Sequence, residues 1–309
     1  MCLSKQNPRA CPRSIKRTVA NSAAIVLSSL LLARAHSQGG SAARPGGPSE
    51  PVFKQASEMP TPRTADGHPD LTGFWTDGGP DLGTILAPNP TTVSADGKVT
   101  QLGFDSERAL CERGVESFKR RTADPLARPS YKPEYQARVA DNFKRQQYLD
   151  PAFRCQPVGV PRQGPPKEIA QTPTTLYFFY RPLENNNSFR VIPIDGRPHK
   201  KDADGMADGD SVGRWDGDTL VVDVTNLSED TWLDTDGDIH SSAMHVVERL
   251  TRKGNTLRYE VTVEDPVMLT EPWSPRPRTV LLGKPGEHIE QNYPCSERST
   301  PHLANEDRH

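Results

Sequence analysis

The chain has few hydrophobic residues, few aromatic residues, almost no net charge and no long apolar run. Hydrophobic residues make up 34% of the 309 positions and aromatic residues 6%, whereas there are 30 prolines and 23 glycines. This composition argues against long helices and favours short strands, turns and ordered loops. A formal net charge of −2 provides no basic field, so nucleic acid is not an expected partner. A transmembrane helix needs ~20 apolar residues, and the sequence has no such run.

The first 35 residues have the order of an export signal. Five basic residues precede the apolar run "AAIVLSSLLLA" at residues 23–33, and "ARA" at residues 33–35 supplies the small residues of a cleavage site. A buried helix or a retained anchor is the alternative interpretation. We predict a signal peptide over residues 1–35 and a mature chain that is periplasmic or secreted.

The rest of the chain divides by composition and by hydrophobic period. Residues 36–60 are rich in glycine, serine and proline and predict a disordered linker. Residues 61–170 predict a first strand at "PDLTGFW" followed by an irregular and helical cover, with helical patterns in "SERALCERGVESFKRR" and "KPEYQARVADNFKRQQ". Residues 171–296 predict the main β domain, and residues 297–309 a tail.

From residue 174 onward the hydrophobic period is two, which is typical of strands. Eight candidate strands follow one another: "TTLYFFYRP", "NSFRVIPID", "SVGRWDG", "TLVVDVTN", "AMHVVERLTRK", "NTLRYEVTVED", "RPRTVLLGK" and "HIEQNY". Tight turn signals such as "WDGDT" and "KGN" join several of them. Because an open sheet edge is a liability, a meander of this length favours an all-β fold, either a sandwich or, as our first choice, an eight-stranded antiparallel barrel.

An ordered set of motifs resembles a large family of exported proteins. The motifs are "TPRTADGHPDLTGFW", "CQPVGVPR", "SVGRWDGDTLVVDVTNL", "DTWLD", "IHSSAMHVVERL" and "EVTVEDPVMLTEPW", and the resemblance runs from about residue 62 to residue 295. That family is common in acidobacteria and proteobacteria and is mostly of unknown function. Its histidine-serine and glutamate-arginine pairs are matched by His240-Ser241 and Glu248-Arg249. The resemblance implies a secreted bacterial protein and leaves the reaction open.

A shorter resemblance concerns the first strand. Gly73-Phe74-Trp75 is similar to the glycine-x-tryptophan that opens the first strand of lipocalin and other calycin barrels. Together with the eight predicted strands, this resemblance implies a lipocalin-like barrel with an interior cavity.

Three cysteines remain after the predicted signal is removed. They are Cys111, Cys155 and Cys295. Cys155 and Cys295 lie in the family-like motifs, so we predict that these two are joined in an oxidising compartment. Cys111 is then a spare thiol.

Two patterns that suggest chemistry have plainer explanations. "GDSVG" matches the Gly-x-Ser-x-Gly of serine hydrolases, but no helix follows the serine, so Ser211 is predicted to be a turn residue. The acidic runs "DADGMADGD" and "DTDGD" fail the calcium-loop pattern and are predicted to be solvated loops with Asx turns, with weak calcium binding as the alternative.

Glu248 is the strongest candidate for catalysis. The strand period places it with Met244, Val246 and Leu250, so it would be a carboxylate inside an apolar barrel, suited to proton transfer. Asp223 is a second such carboxylate. For both, the alternative is a structural ion pair with Arg190, Arg214 or Arg249.

His240 lies eight residues before Glu248, in the loop that leads into the same strand. A histidine at a barrel mouth can act as general acid or base near neutral pH. We predict that His240 and Glu248 converge on one cavity. Its predicted ligand contacts are Trp215, Trp232, Tyr259 and Arg214.

Three classes of function follow. The first is an exported lyase, dehydratase or isomerase that acts by general acid-base catalysis on a small apolar or aromatic molecule. It needs no organic cofactor and no metal, because the sequence has neither a nucleotide-binding glycine loop nor a metal-ligand pattern. The second is a periplasmic carrier that uses the same pocket, and the third is a structural envelope protein.

Overall fold

The computed structural model describes residues 50–76, 91–93, 99–101, 126, 128–180, 188–201 and 204–290. Nine of the described strands form one antiparallel sheet that curls into a nearly closed barrel, which confirms the predicted all-β class. These strands are β1 (Gly73–Thr76), β4 (Glu168–Gln171), β5 (Thr175–Tyr180), β6 (Ser188–Pro193), β7 (Asp210–Asp216), β8 (Thr219–Thr225), β9 (His245–Lys253), β10 (Thr256–Glu264) and β11 (Arg278–Leu282). A separate pair, β2 (Thr91–Val93) and β3 (Val99–Gln101), forms a two-stranded sheet.

The barrel has nine strands rather than the predicted eight. Their order is β6-β5-β4-β1-β11-β10-β9-β8-β7, so β1, the predicted first strand, belongs to the sheet, and so does β4, which lies in the region predicted as a cover. β4 pairs with both β1 and β5. Residues 288–290, the described part of "HIEQNY", are not a strand.

The two edge strands, β6 and β7, approach each other along a seam without ladder pairing between them in the described residues. Gly213 permits this approach. A Cβ atom there would lie 2.7 Å from Cγ2 of Ile194 and 3.0 Å from Cγ2 of Ile192, closer than packed carbon atoms tolerate.

Side chains alternate between the barrel interior and its outer face. On β9, Val246, Glu248, Leu250 and Arg252 are buried, whereas the residues between them are partly exposed. The interior residues of β8 and β10 continue this pattern, because cross-strand partners share a face. Each fully buried large apolar side chain contributes about 1.5–3 kcal/mol to stability.

An arginine lies over a tryptophan near the β9–β10 turn. The guanidinium carbon of Arg252 lies 5.2 Å from the centre of the Trp75 ring. Arg252 also donates to the carbonyl oxygens of Gly254 and Asp70, and the indole N–H of Trp75 donates to the carbonyl oxygen of Leu71 at 3.0 Å. These contacts bind the segment before β1 to the β9–β10 turn.

Helices lie outside the barrel. α1 (Glu50–Ser57) falls within residues 36–60, so the predicted disordered linker is wrong for this segment. The carbonyl oxygen of Ala56 accepts from the backbone N–H of Asn255 at 2.8 Å, which binds α1 to the β9–β10 turn. The second helical pattern is confirmed as α2 (Pro133–Lys144) and α3 (Gln146–Leu149), followed by a 3-10 helix at Pro151–Arg154.

Several predictions concern residues outside the described part of the chain. These are the signal peptide, the helical pattern of residues 106–121, Cys111, Cys295 and the tail. None of the described helices combines the length and apolar character that crossing a bilayer requires.

The predicted pairing of Cys155 with Cys295 can be tested directly. Peptide mapping without reduction should recover one cross-linked peptide that contains both residues, and the closed loop would be worth about 5 kcal/mol in the chain-entropy model. Recovery of Cys111 in the cross-link would refute the pairing.

Candidate functional site

The barrel interior contains a polar cluster, which we call the central cluster: Tyr180, Arg190, Ser211, Glu248 and Tyr259. All five side chains are buried. Tyr259 donates its hydroxyl to Oε1 of Glu248 at 2.7 Å, and Nη2 of Arg190 lies 2.7 Å from Oε2 of the same carboxylate. Arg190 donates to the hydroxyl oxygens of Tyr180 at 3.0 Å and of Ser211 at 2.7 Å. The cluster therefore joins β5, β6, β7, β9 and β10.

Two atoms of the central cluster have no hydrogen-bond partner among the described residues. They are Nε of Arg190, a donor, and Oε2 of Glu248, an acceptor. Oε2 nevertheless lies 2.7 Å from Nη2 of Arg190, so the ion pair compensates its charge, whereas Nε of Arg190 has no such compensation. Leaving a buried donor or acceptor unpaired typically costs about 1–3 kcal/mol, so stability alone does not account for this arrangement.

Arg190 and the two tyrosines of the central cluster have raised pKa values. Burial opposes charge on Arg190, but the Glu248 carboxylate outweighs it and the pKa of Arg190 is raised. Burial, reinforced by the charge of Glu248, raises the pKa of Tyr259 well above its ordinary value. Burial likewise raises the pKa of Tyr180. Both tyrosines are therefore neutral hydrogen-bonding groups around a charged pair.

A second group of hydrogen-bonded polar side chains lies at the end of the barrel where β6 and β7 begin, and the charge of Arg190 acts on one of them. Ser188, on β6, donates to the side-chain oxygen of Gln163 at 2.7 Å, and the amide nitrogen of Gln163 donates to Asp208. Asp208 is partly buried. Burial raises its pKa although the charge of Arg190 opposes the shift. The raised pKa makes Asp208 a candidate for proton transfer.

Glu248 lies on the interior face, as the strand period predicts, and its ion-pair partner is Arg190, one of the three partners considered from sequence.

His240 belongs to a different network. Its Nδ1 is 3.0 Å from the carbonyl oxygen of Ser241, and its Nε2 is 2.8 Å from the hydroxyl of Thr231. Burial lowers the pKa of His240, which favours the neutral ring. The hydrogen-bond partner of Glu248 in the structure is thus Tyr259 rather than His240.

Asp223 lies on the outer face of β8, apart from the central cluster. Its Oδ1 is 3.0 Å from Nε2 of His199 and 2.9 Å from Nε2 of His245. Its expected position as an interior carboxylate is therefore wrong, because Leu220, Val222 and Val224 occupy the inward face of that strand.

The four predicted ligand contacts have different positions. Tyr259 is part of the central cluster. Trp232 is buried in the apolar core. Trp215 stacks on His68 with ring centres 4.7 Å apart, and its buried indole nitrogen has no hydrogen-bond partner among the described residues. Arg214 is exposed on the outer face of β7, so its predicted role in lining an interior pocket is wrong.

Ser211 and the acidic run "DTDGD" are also placed differently from their predictions. Ser211 is a buried strand residue that accepts a hydrogen bond from Arg190, not a turn residue. Asp236 and Asp238 are buried rather than solvated, although the predicted Asx turn is present, since Asp234 accepts from the backbone N–H of Asp236 at 2.8 Å. Asp238 is instead bound by Arg128 through two contacts of 2.7 and 3.0 Å.

Sequence reasoning missed Asp208, Gln163 and Tyr180 as members of the site. Tyr180 could have been found, because it alternates with Leu176 and Phe178 on the inward face of β5. Asp208 and Gln163 lie in loops, where the sequence has no hydrophobic period from which the direction of a side chain could be predicted.

Comparisons with protein-family models, with curated proteins and with solved structures find no match for this chain. Within the described ranges, no group of three or more histidine, cysteine, aspartate or glutamate side chains is arranged to hold a metal ion.

Proposed function

We propose that the protein binds a small apolar or aromatic molecule through one polar group, at the end of the barrel where Gln163, Ser188 and Asp208 lead to the central cluster. The observation that carries the proposal is the buried Arg190–Glu248 pair, in which Nε of Arg190 has no hydrogen-bond partner among the described residues. Burying an ion pair is expensive, and well-packed apolar residues often replace one at no loss of stability. The buried pair lies near partly buried polar groups. Ligand binding therefore explains its presence inside an apolar barrel better than a contribution to stability does.

The charge balance of the cluster indicates the chemistry of the ligand's polar group. Arg190 and Glu248 neutralise each other, and both tyrosines are neutral at physiological pH. A neutral group with a donor and an acceptor, such as a hydroxyl, an amide or a protonated acid, fits such a site better than a strong anion. We propose a binding protein on this basis, and its periplasmic or secreted location is proposed from the order of residues 1–35, which is that of an export signal.

Proton-transfer catalysis is the second candidate, and the raised pKa of Asp208 favours it. In this case Asp208 exchanges a proton with the ligand while the neutral tyrosines hold its polar group. The activity would be of the lyase, dehydratase or isomerase type, with Asp208 in the role that the sequence assigned to His240.

Ligand capture tests the proposal. The mature protein is incubated with a pool of phenols, aromatic amides and aromatic acids, and retained molecules are identified by native mass spectrometry. We expect the double variant Ser188→Ala/Asp208→Ala to lose about tenfold or more in affinity, since each lost hydrogen bond is worth about 0.5–1.5 kcal/mol. Asp195→Ala, a change at an exposed aspartate of the same β6–β7 connection, should leave retention unchanged.

The outcomes separate the candidates. Retention by the wild type without chemical change supports a binding protein. Conversion of the retained molecule, abolished by Asp208→Asn while retention persists, supports an enzyme. Equal retention by wild type and the double variant, or no retention by either, would overturn the assignment of this site.

A further inference from the structure

A row of five alternating acidic and imidazole side chains crosses the outer face of the barrel; we call it the exterior row. It runs Asp210, His199, Asp223, His245, Glu264. The successive contacts are 3.0 Å from Asp210 Oδ2 to His199 Nδ1, 3.0 Å from His199 Nε2 to Asp223 Oδ1, 2.9 Å from Asp223 Oδ1 to His245 Nε2, and 3.3 Å from His245 Nδ1 to Glu264 Oε2. The row links β7, β8, β9 and β10, and shares no residue with the central cluster.

The proton count of the exterior row follows from its contacts. A carboxylate only accepts hydrogen bonds, so a ring nitrogen facing a carboxylate must carry a proton to form one. Each imidazole faces a carboxylate through both of its nitrogens. All four hydrogen bonds can exist together only when His199 and His245 are both imidazolium ions. If either ring loses a proton, a nitrogen lone pair faces a carboxylate oxygen at about 3 Å, which is repulsive.

The exterior row binds the loop between β6 and β7 to the sheet. His199 lies between β6 and β7, the two edge strands of the barrel, and it is the only member of the exterior row outside a strand. The neighbouring backbone N–H of Lys200 donates to Asp210 Oδ2 at 3.0 Å, and the carbonyl oxygen of Lys200 accepts from Asn226 at 3.2 Å. These contacts hold residues 195–201 against β7 and β8, beside the seam.

We propose that the exterior row is a pH-dependent clasp, which fastens residues 195–201 to the barrel when both imidazoles are protonated and releases them when either is not. The charged groups that face the two rings are Asp210 from β7, Asp223 from β8, Glu264 from β10 and Lys200 from the connection itself. Three carboxylates against two imidazolium ions leave one net negative charge, which Lys200 beside Asp210 offsets. The clasp does not depend on the ligand site.

The way in which closure of the clasp depends on pH follows from the pKa shifts of one histidine and one aspartate of the exterior row. Burial opposes charge on His245, but hydrogen bonds to Asp223 and Glu264 outweigh it and raise the pKa of His245, so its stabilising effect is complete at acidic pH and is lost as pH rises through the folded-state pKa. Burial opposes charge on Asp210, but hydrogen bonds from Lys200 and His199 lower the pKa of Asp210, so its contribution is lost as pH falls through that lowered value. The clasp is therefore closed between the lowered pKa of Asp210 and the raised pKa of His245, and it opens on either side of that range.

Hydrogen exchange of the full mature chain tests the clasp. After correction for the intrinsic pH dependence of exchange, amides of residues 195–201 should exchange about tenfold faster at about pH 8 than at about pH 5.5, because a charge-assisted hydrogen bond is lost. The variant His199→Gln/His245→Gln should exchange fast at both pH values. His288→Gln removes an exposed histidine whose partner among the described residues is Glu168, and should behave as the wild type.

A second measurement reports the protonation state of the two imidazoles. Nitrogen-15 chemical shifts of the imidazoles should show both nitrogens protonated on His199 and on His245 at about pH 5.5. A neutral ring on either residue while residues 195–201 remain protected would overturn the proposal. So would equal pH dependence of exchange in the wild type and the double glutamine variant.

Discussion

Replacing Arg190 with methionine is expected to lower the free energy of unfolding by about 3–5 kcal/mol, because the change leaves Glu248 as an unpaired buried charge. The side chains of Arg190 and Glu248 are 2% and 1% exposed, so water cannot replace the missing partner. The same substitution removes the donors to Tyr180 and Ser211. Denaturant unfolding at pH 7 measures the loss.

The double variant Arg190→Met/Glu248→Met provides the decisive comparison. Replacing both members of a buried pair by apolar residues of similar volume is often neutral or stabilising, so most of the lost stability should return. Ligand retention should not return, because the donor and the acceptor are both gone. Arg249→Met is the matched control: its pair with Asp216 is exposed, and the change should cost about 1 kcal/mol or less. If the single variant is as stable as the wild type, the central cluster has neither the stabilising role nor the ligand-binding role proposed for it.

Strands whose two faces meet different environments could be predicted from the sequence. On β9 and β10 the alternation is complete over nine residues each, because one face meets the barrel interior and the other meets solvent. β4 was not predicted, since the four residues of "EIAQ" are too few to show a period. The position of β1 could not be predicted either. Gly73 pairs with Ile169 and Trp75 with Leu282, and no local pattern encodes partners so distant in sequence.

The same limit applies to the site. The inward direction of Glu248 depends only on its own strand, and it was predicted correctly. The partner of His240 depends on how the loop of residues 226–244 folds back, and the sequence interval of eight residues to Glu248 does not fix the distance between the side chains. Asp223 shows a further limit. An alternating strand has two faces, and when both carry valines the sequence does not say which face is inward.

The acidic run "DTDGD" shows how a distant residue reverses a local expectation. Its composition is typical of a solvated turn, yet Asp238 is fully buried because Arg128, 110 positions away in sequence, supplies a bidentate partner. Asn142 contributes as well, donating to the carbonyl oxygen of Gly237 at 3.2 Å. The fold therefore brings two carboxyl groups, Asp234 and Asp238, together beside one arginine.

The proximity of the Asp234 and Asp238 carboxyl groups is expected to make the protein less stable as pH rises. Burial, together with the charge of Asp238, raises the pKa of Asp234 from 3.8 to about 8. A carboxyl group whose pKa is higher in the folded state retains a proton that the unfolded chain has lost. Stability from this group is therefore complete below about pH 4 and is lost progressively as pH rises toward 8, the reverse of the usual behaviour of an ion-paired aspartate.

Asp234→Asn should remove this dependence, because the amide imitates the protonated carboxyl group. Its oxygen can still accept from the backbone N–H groups of Asp236 and Asp238, and its NH2 group can donate to the Asp238 carboxylate. We expect the variant to be more stable than the wild type by about 2 kcal/mol or more at pH 8, and the difference to vanish near pH 4. Denaturant unfolding at a series of pH values measures both, with Asp230→Asn, at an exposed aspartate of the same loop, as the control. A variant that is less stable than the wild type at pH 8 would show that Asp234 is ionised there, and that its negative charge is compensated by a partner which the asparagine cannot engage.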